Sequence, residues 1–378
     1  MDADSFYRPE LPPAMIDEAL DAMNAATATT SGLGAELQTA STLMSDRQVE
    51  DLVKTHYGLS GKAEFLWGEK DSNHRLTLED GSTCLVKVLN AGEKPETTSL
   101  HSNALLHVAH VDPGIPVQRI VPALNGAPDI RVPTEDGGTR AVRLVTFLHG
   151  MALSGAKRTA HQRANIGLMM ARMQKALESF EHASANHKIT WDMTHAPDLA
   201  AVLHCLPDEE ERKRLTACLD RFRADVLTRL DALPTQVIHN DFNSENILVD
   251  PDDTDEVSGI IDFGDMVRAP RVFDVAVGAT YMLDEETEPV DCVFDMLAGY
   301  ASLQTLNEAE IAALYPAMLV RTLMRIVIPH WRASMFPEHA TRILCRTDLS
   351  RRIFARLSAY SEEEFVARCH TIFMRAPE

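Results

Sequence analysis

The chain has 378 residues, 45% hydrophobic and 24% charged, with 36 Lys and Arg against 56 Asp and Glu for a formal net charge of −20. That length exceeds what one core usually holds and predicts two lobes, while so acidic a surface argues against nucleic acid and anionic membranes as partners. Six cysteines (Cys84, Cys205, Cys218, Cys292, Cys345 and Cys369) form no CxxC pair and suit reduced thiols in a cytoplasmic protein, the start MDADSFYRPELPP has no signal-peptide pattern, and no apolar run is expected to reach membrane-helix length.

Residues 1–44 read as an arm: the stretch AATATTSGLGAELQTAST is rich in Ala, Thr, Ser and Gly with little to bury, and a short helix before it (Ala14 to Met23) is possible. Order is predicted from Ser45, where Ser45 and Gln48 fit a capping box for a helix that ends near Gly58. Arg75–Leu78 and Cys84–Val88 read as hairpin strands around the turn Glu79-Asp80-Gly81-Ser82. A helix is predicted over Thr98–Val108, then strands near Gln118–Pro122 and Val142–Leu148. After Gly150, the residues Ile166, Met169, Met170, Met173, Leu177 and Phe180 recur at helical spacing, with the methionines read as core filler. Helices are predicted to run on to about Leu233. A strand-and-loop patch, QVIHNDFNSENILVD followed by VSGIIDFGDMV, interrupts them, and from Val272 the chain reads as mostly helical. The predicted class is therefore α+β: an arm (1–44), a smaller β-rich lobe (45–148) and a larger, mostly helical lobe (149–378).

The chemistry concentrates in that patch. His239-Asn240-Asp241-Phe242-Asn243-Ser244-Glu245-Asn246 lies between the apolar runs Gln236–Ile238 and Ile247–Val249 and has the HxDxxxxN spacing of a phosphoryl-transfer catalytic loop. Asp241 suits the role of base toward an attacking hydroxyl. Asn246 offers a neutral hard oxygen suited to magnesium, and His239 is expected to brace the loop. Sixteen residues after Asn246, Asp262 ends another apolar run, where a carboxylate is costly unless paired or bound to metal. Lys87, flanked by Val86 and Val88, is placed to pair with nucleotide phosphates. Before it, the polar turn around Gly68, Ser72 and Asn73 is a candidate phosphate cover made of backbone N–H groups, though it is not a GxGxxG loop.

Taken with GEKDSNHRL, KITWDMTHA, VIHNDFNSENILVD and SGIIDFGDMVRAPRVFDVAV, this order of motifs resembles the aminoglycoside phosphotransferase/choline kinase superfamily, and within it the hydroxylysine kinase branch with its bacterial relatives. The resemblance covers Ser45 to the C-terminus. It implies a protein-kinase-like two-lobed fold and a kinase that transfers the γ-phosphoryl group of ATP or GTP, with Mg2+, to the hydroxyl of a small amine-bearing alcohol such as hydroxylysine. Asp241, Asn246, Asp262 and Lys87 carry over by motif position; Asp274 matches an aspartate that supports the loop; Thr146 to Leu148 match the segment that meets the purine. Homoserine, choline, ethanolamine or an aminoglycoside remain alternative acceptors, and a nucleotide-binding pseudokinase module is the alternative class. Asp265, Asp192 and Glu245 are candidate anions for the substrate ammonium. Trp191 reads either as a cation–π face for that ammonium or as core packing. One departure from the kinase pattern is that the helix Thr98-Ser99-Leu100-His101-Ser102-Asn103-Ala104 has no acid for Lys87; Glu93 and Glu96 precede it.

Overall fold

The computed structural model describes residues 44–66, 71–133, 138–283 and 290–374. Most of the predicted arm and Gly68 fall outside these residues. The chain divides into two compact units: the first runs up to Ala152 and takes in Ser258–Ile261, and the second comprises Leu153–Val257 and the chain from Asp262 onward.

In the first unit, helix α1 (Asp46–Tyr57) starts as predicted. The Ser45 hydroxyl accepts from Gln48 N at 3.3 Å and the Gln48 side chain returns the bond to Ser45 N at 2.8 Å. The helix stops at Gly58, whose φ of 69° is a left-handed conformation that glycine adopts without steric cost. Strands β1 (Gly61–Leu66), β2 (Ser72–Leu78), β3 (Thr83–Val88), β4 (Ile130–Pro133) and β5 (Thr139–Thr146) form one antiparallel sheet in the order β1-β2-β3-β5-β4. A two-residue strand, β6 (Met151–Ala152), follows.

Strand alternation sends Leu76, Val86, Val142 and Leu144 to one face, where they are fully buried with Val49 and Val53 of α1. Lys87 takes the other face, in register with Asn73 and Arg143. Helix α2 (Pro95–Val111) covers this second face and presents the buried Thr98, His101 and Ser102 to it.

The strand predicted at Gln118–Pro122 does not form. Ile120 makes a single bridge to Val145, Thr146 N donates to Arg119 O and Val121 N to Leu144 O. The segment runs beside β5 without a ladder, since the flanking Pro116 and Pro122 have no N–H to give.

In the second unit, α3 (Ala160–Leu177) buries Ile166, Met170, Met173 and Leu177 as predicted. Phe180 is buried beyond the helix end. The predicted helical run to Leu233 is only partly α-helical. Ala183–Asn186, Met193–Cys205 and Leu227–Ala232 are 3-10 segments, the second of them containing Pro197, and only α4 (Glu209–Asp225) is regular. Strands β7 (Thr235–Ile238) and β8 (Ile247–Val249) bracket the HxDxxxxN loop. Strand β9 (Val257–Ile260) returns the chain to the first unit, where Ile260 N donates to Pro116 O. Strand β10 (Val267–Pro270), absent from the sequence reading, pairs antiparallel with β7.

Helices α5 (Arg271–Tyr281), α6 (Asp291–Ala301), α7 (Glu308–Met335), α8 (Ala340–Ile343), α9 (Thr347–Ser358) and α10 (Glu362–Phe373) complete the unit. Helices α3 and α6 approach at Gly167 and Gly299: a Cβ on Gly167 would stand 1.9 Å from Met296 O, and one on Gly299 1.8 Å from Ala164 O.

The expectation about apolar runs is corrected by α7. Its 28 residues are long and apolar enough to cross a membrane, but 89% of its most apolar window is buried within the fold. It is the central core helix, capped by a reciprocal Asn307–Glu310 box.

Candidate active site

Within the second unit, one short stretch of chain gathers several of the predicted residues. The loop leaves β7 at His239 and Asn240. Asn240 has a φ of 64°, one of the few left-handed conformations that Asn tolerates better than branched residues. Asp274, in the first turn of α5 and 1% exposed, fixes this bend: Oδ1 accepts from Asn240 N at 2.8 Å and Oδ2 from His239 N at 3.4 Å. Burial pushes the Asp274 carboxyl above its ordinary range, opposed by His239 and the two backbone donors. His239 is fully buried, edge-on to Phe242 and Phe263, and its Nδ1 accepts from Asp241 N at 3.3 Å. An acceptor Nδ1 puts the proton of a neutral ring on Nε2.

Asp241 follows, partly exposed. Asn246 Nδ2 donates to Asp241 Oδ2 at 2.7 Å and to its backbone O at 3.0 Å. Arg321 Nη2 of α7 meets Asp241 Oδ1 at 3.1 Å. Asn243, which the sequence reading passed over, shapes the turn between them: its Oδ1 accepts from Glu245 N at 2.7 Å and Asn246 N at 3.1 Å. Burial, then the charges of Asp265 and Asp262, raise the Asp241 carboxyl above its ordinary value, while Arg321 draws it down.

Asp262 has a φ of 61°, and its Oδ1 accepts from Gly264 N at 3.3 Å at the head of the single turn Phe263–Asp265. Asp262 and Asp265 are therefore close enough for Asp241 to feel both, with Arg321 as the counter-charge that bears on it.

The other candidates are committed elsewhere. Asp192, 3% exposed, caps the Met193–Cys205 turn through Thr194 N at 2.8 Å, and burial raises its carboxyl. The Trp191 ring lies under Arg321, whose Cζ is 4.6 Å from the ring centroid, so its cation–π face serves a side chain of the protein. Glu245 is exposed and paired with Arg346.

Arg321 is the residue that sequence reasoning missed. Its signal was present: an arginine inside the apolar run of α7 must find a partner or carry a heavy desolvation cost.

In the first unit, Lys87 Nζ lies 3.8 Å from Asp71 Oδ2. Glu93 stands close enough to feel both Lys87 and Arg143, and accepts from Thr98 Oγ1 at 3.0 Å. Burial, then Asp71, raises the Glu93 carboxyl. Arg143 donates to Ser102 Oγ and Thr98 O, both at 3.0 Å, while the acid of α2, Glu96, lies in its first turn. Ser72 is 1% exposed, with its hydroxyl bonded to His74 Nε2 at 2.9 Å, so its side chain is turned into the fold. Asn73 faces Lys87 in register. Thr146 Oγ1 accepts from Arg119 N at 2.9 Å, and Leu148 is half-buried just past β5.

A β-sheet unit followed by a helical unit that carries an HxDxxxxN loop is the frame of a kinase-like phosphotransferase. The chain belongs to the phosphotransferase enzyme family called APH, whose family model matches residues 63–306. It is a small-molecule kinase, a phosphotransferase with an alcohol group as acceptor. It is similar to hydroxylysine kinase of Danio rerio, with 26% identity over 339 residues, 86% of this chain and 94% of that one. In fold it is similar to amicoumacin kinase, solved with AMP-PNP, Ca2+ and amicoumacin (TM-score 0.65, 14% identity, 85% of this chain and 97% of that one). It is also similar to the microcompartment-associated aminopropanol kinase (TM-score 0.65, 18% identity, 86% and 98%).

Proposed function

We propose that this kinase transfers the γ-phosphoryl group of ATP or GTP to the hydroxyl of a small hydroxy amino acid of the hydroxylysine type, with Asp241 as the base. The observation that carries this reading is the setting of Asp241. Its carboxylate is held from two sides, by the Asn246 amide and the Arg321 guanidinium, and still keeps 22% of its side-chain surface accessible. A carboxylate so fixed and so reachable can orient an alcohol and accept its proton as the phosphoryl group departs from the nucleotide. The relatives named hydroxylysine kinase, matched along most of their length, support the acceptor class.

The donor set fits magnesium. Asn246 uses its amide nitrogen on Asp241, which leaves the carbonyl end as a neutral oxygen ligand, and Asp262 brings an anionic oxygen. The charges of Asp265 and Asp262 raise the proton affinity of Asp241, and a divalent cation would relieve that repulsion. Among the described residues no group of three or more His, Cys, Asp or Glu side chains gathers as a metal cage. That suits an ion held by one or two protein ligands together with phosphate and water. When bound, it would neutralise the charge developing on the phosphates. Lys87 is the proposed phosphate-binding cation of the first unit, balanced at rest by Asp71 and Glu93.

The test is a phosphorylation screen with ATP and with GTP against hydroxylysine, homoserine, ethanolamine, choline and kanamycin, run with magnesium and with excess chelator. Hydroxylysine should be the best acceptor, and chelator should abolish transfer. Asp241→Asn should keep nucleotide affinity and lose about a hundredfold or more in turnover. Turnover near the parent's in that variant would remove Asp241 as the base.

A further inference from the structure

The arginines that face inward in the second unit are not alike. Arg271 lies against Glu310 at 2.7 Å, and Arg321 against Asp241 at 3.1 Å. Arg325 sits one turn after Arg321 on α7 and is 8% exposed. Its Cζ lies 4.2 Å over the ring of Tyr281 at the end of α5, its Nη1 is buried without a hydrogen-bond partner, and among the described residues no carboxylate faces it. Burial, and then the charges of Arg321 and Arg346, work against its charge, while Tyr281 works in its favour. Arg321 is matched by Asp241 and Arg346 by Glu245, both on the HxDxxxxN loop. Among the described residues, then, Arg321 and Arg346 each have a carboxylate within ion-pair distance and Arg325 has none. A buried guanidinium is costly to keep without an anion, and a planar guanidinium is well suited to take a carboxylate.

The position is informative as well as the charge. Four residues of α-helix rise ~6 Å, so Arg325 is offset by about that much along α7 from the residue that touches the proposed base. A substrate with its hydroxyl at Asp241 and its carboxylate at Arg325 needs a few carbons between the two groups. We propose that Arg325 anchors the carboxylate of the acceptor and so selects hydroxy amino acids over amino alcohols that lack one. This inference rests on the acceptor class read above and adds the residue that enforces it.

The experiment compares 5-hydroxylysine with its decarboxylated counterpart, 1,5-diaminopentan-2-ol, as acceptors for the full chain, for Arg325→Gln and for Arg325→Lys. The parent should prefer the amino acid in kcat/KM by about tenfold or more, chiefly through KM. In Arg325→Gln that ratio should fall to near one, and Arg325→Lys should restore part of it. A parent that phosphorylates both acceptors equally well would overturn the anchor while leaving the kinase reading intact. An Arg325→Gln protein that loses equally on both acceptors would show that Arg325 only supports the fold. Where Arg325→Gln folds too poorly to assay, the same ratio in Arg325→Lys decides. A parent inactive on both would overturn the acceptor class, and this inference with it.

Discussion

Arg321 Nη2 stands 3.1 Å from Asp241 Oδ1, and that ion pair ties the middle of the core helix α7 to the first acidic residue of the HxDxxxxN loop. The guanidinium is 1% exposed and its Nη1 also reaches Trp191 O at 3.4 Å. Removing one partner of such a pair leaves a buried charge alone, which typically costs about 3–5 kcal/mol. Arg321→Met should therefore destabilise the protein by about that amount in urea denaturation. Asp241→Asn combined with it should cost less than the sum of the two single changes, because the stranded carboxylate is gone. Strict additivity across the four proteins would mean that the pair contributes no coupling.

Lys87 is 13% exposed in its side chain and has Asp71 within 3.8 Å. If it binds phosphate, Lys87→Ala should raise the KM for nucleotide by about tenfold or more. The melting temperature should stay within about 4 °C of the parent's. An early melt with parental nucleotide KM would make Lys87 a structural residue of the sheet.

Gly167 is a packing position. The nearest atom to an added Cβ would be the backbone O of Met296, at 1.9 Å, and a backbone atom cannot turn aside as a side chain can. Gly167→Ala should destabilise by about 2 kcal/mol or more through the forced separation of α3 from α6. A denaturation midpoint equal to the parent's would show that the two helices part at no cost.

Asp274 supplies the pH dependence. Burial raises its carboxyl above the unfolded value of about 3.9. With the folded value raised, stability is fully present below the unfolded pKa and declines as pH rises through the folded one. Asp274→Asn has no such charge to bury. Its stability relative to the parent should therefore be lowest in acid and improve as pH rises from about 4 toward neutrality, as followed by urea midpoints at a series of pH values. A difference that moves in the opposite direction would mean that the backbone donors of His239 and Asn240 outweigh the burial.

What the sequence determined was local. The Ser45–Gln48 box, the β2–β3 hairpin and the amphipathic face of α3 were legible because caps, turn residues and periodicity act over a few positions. The same holds for the HxDxxxxN loop between two apolar strands, where Asp241 and Asn246 meet because they lie five residues apart on one tight loop. What needed the tertiary structure was every partner supplied from far along the chain. Arg321 reaches Asp241 across 80 residues, and Asp274 holds Asn240 across 34. Trp191, which read in the sequence either as a cation–π face for substrate or as core packing, is the surface on which Arg321 rests. The α7 sequence alone could not say whether an apolar helix with three arginines faces lipid or core, because composition records hydrophobicity but not what covers it. Nor could it single out Arg325: a lone arginine looks the same whether or not an acid waits for it, and only the fold shows it packed on Tyr281, one turn from the Arg321–Asp241 pair, with no carboxylate of the described residues paired to it.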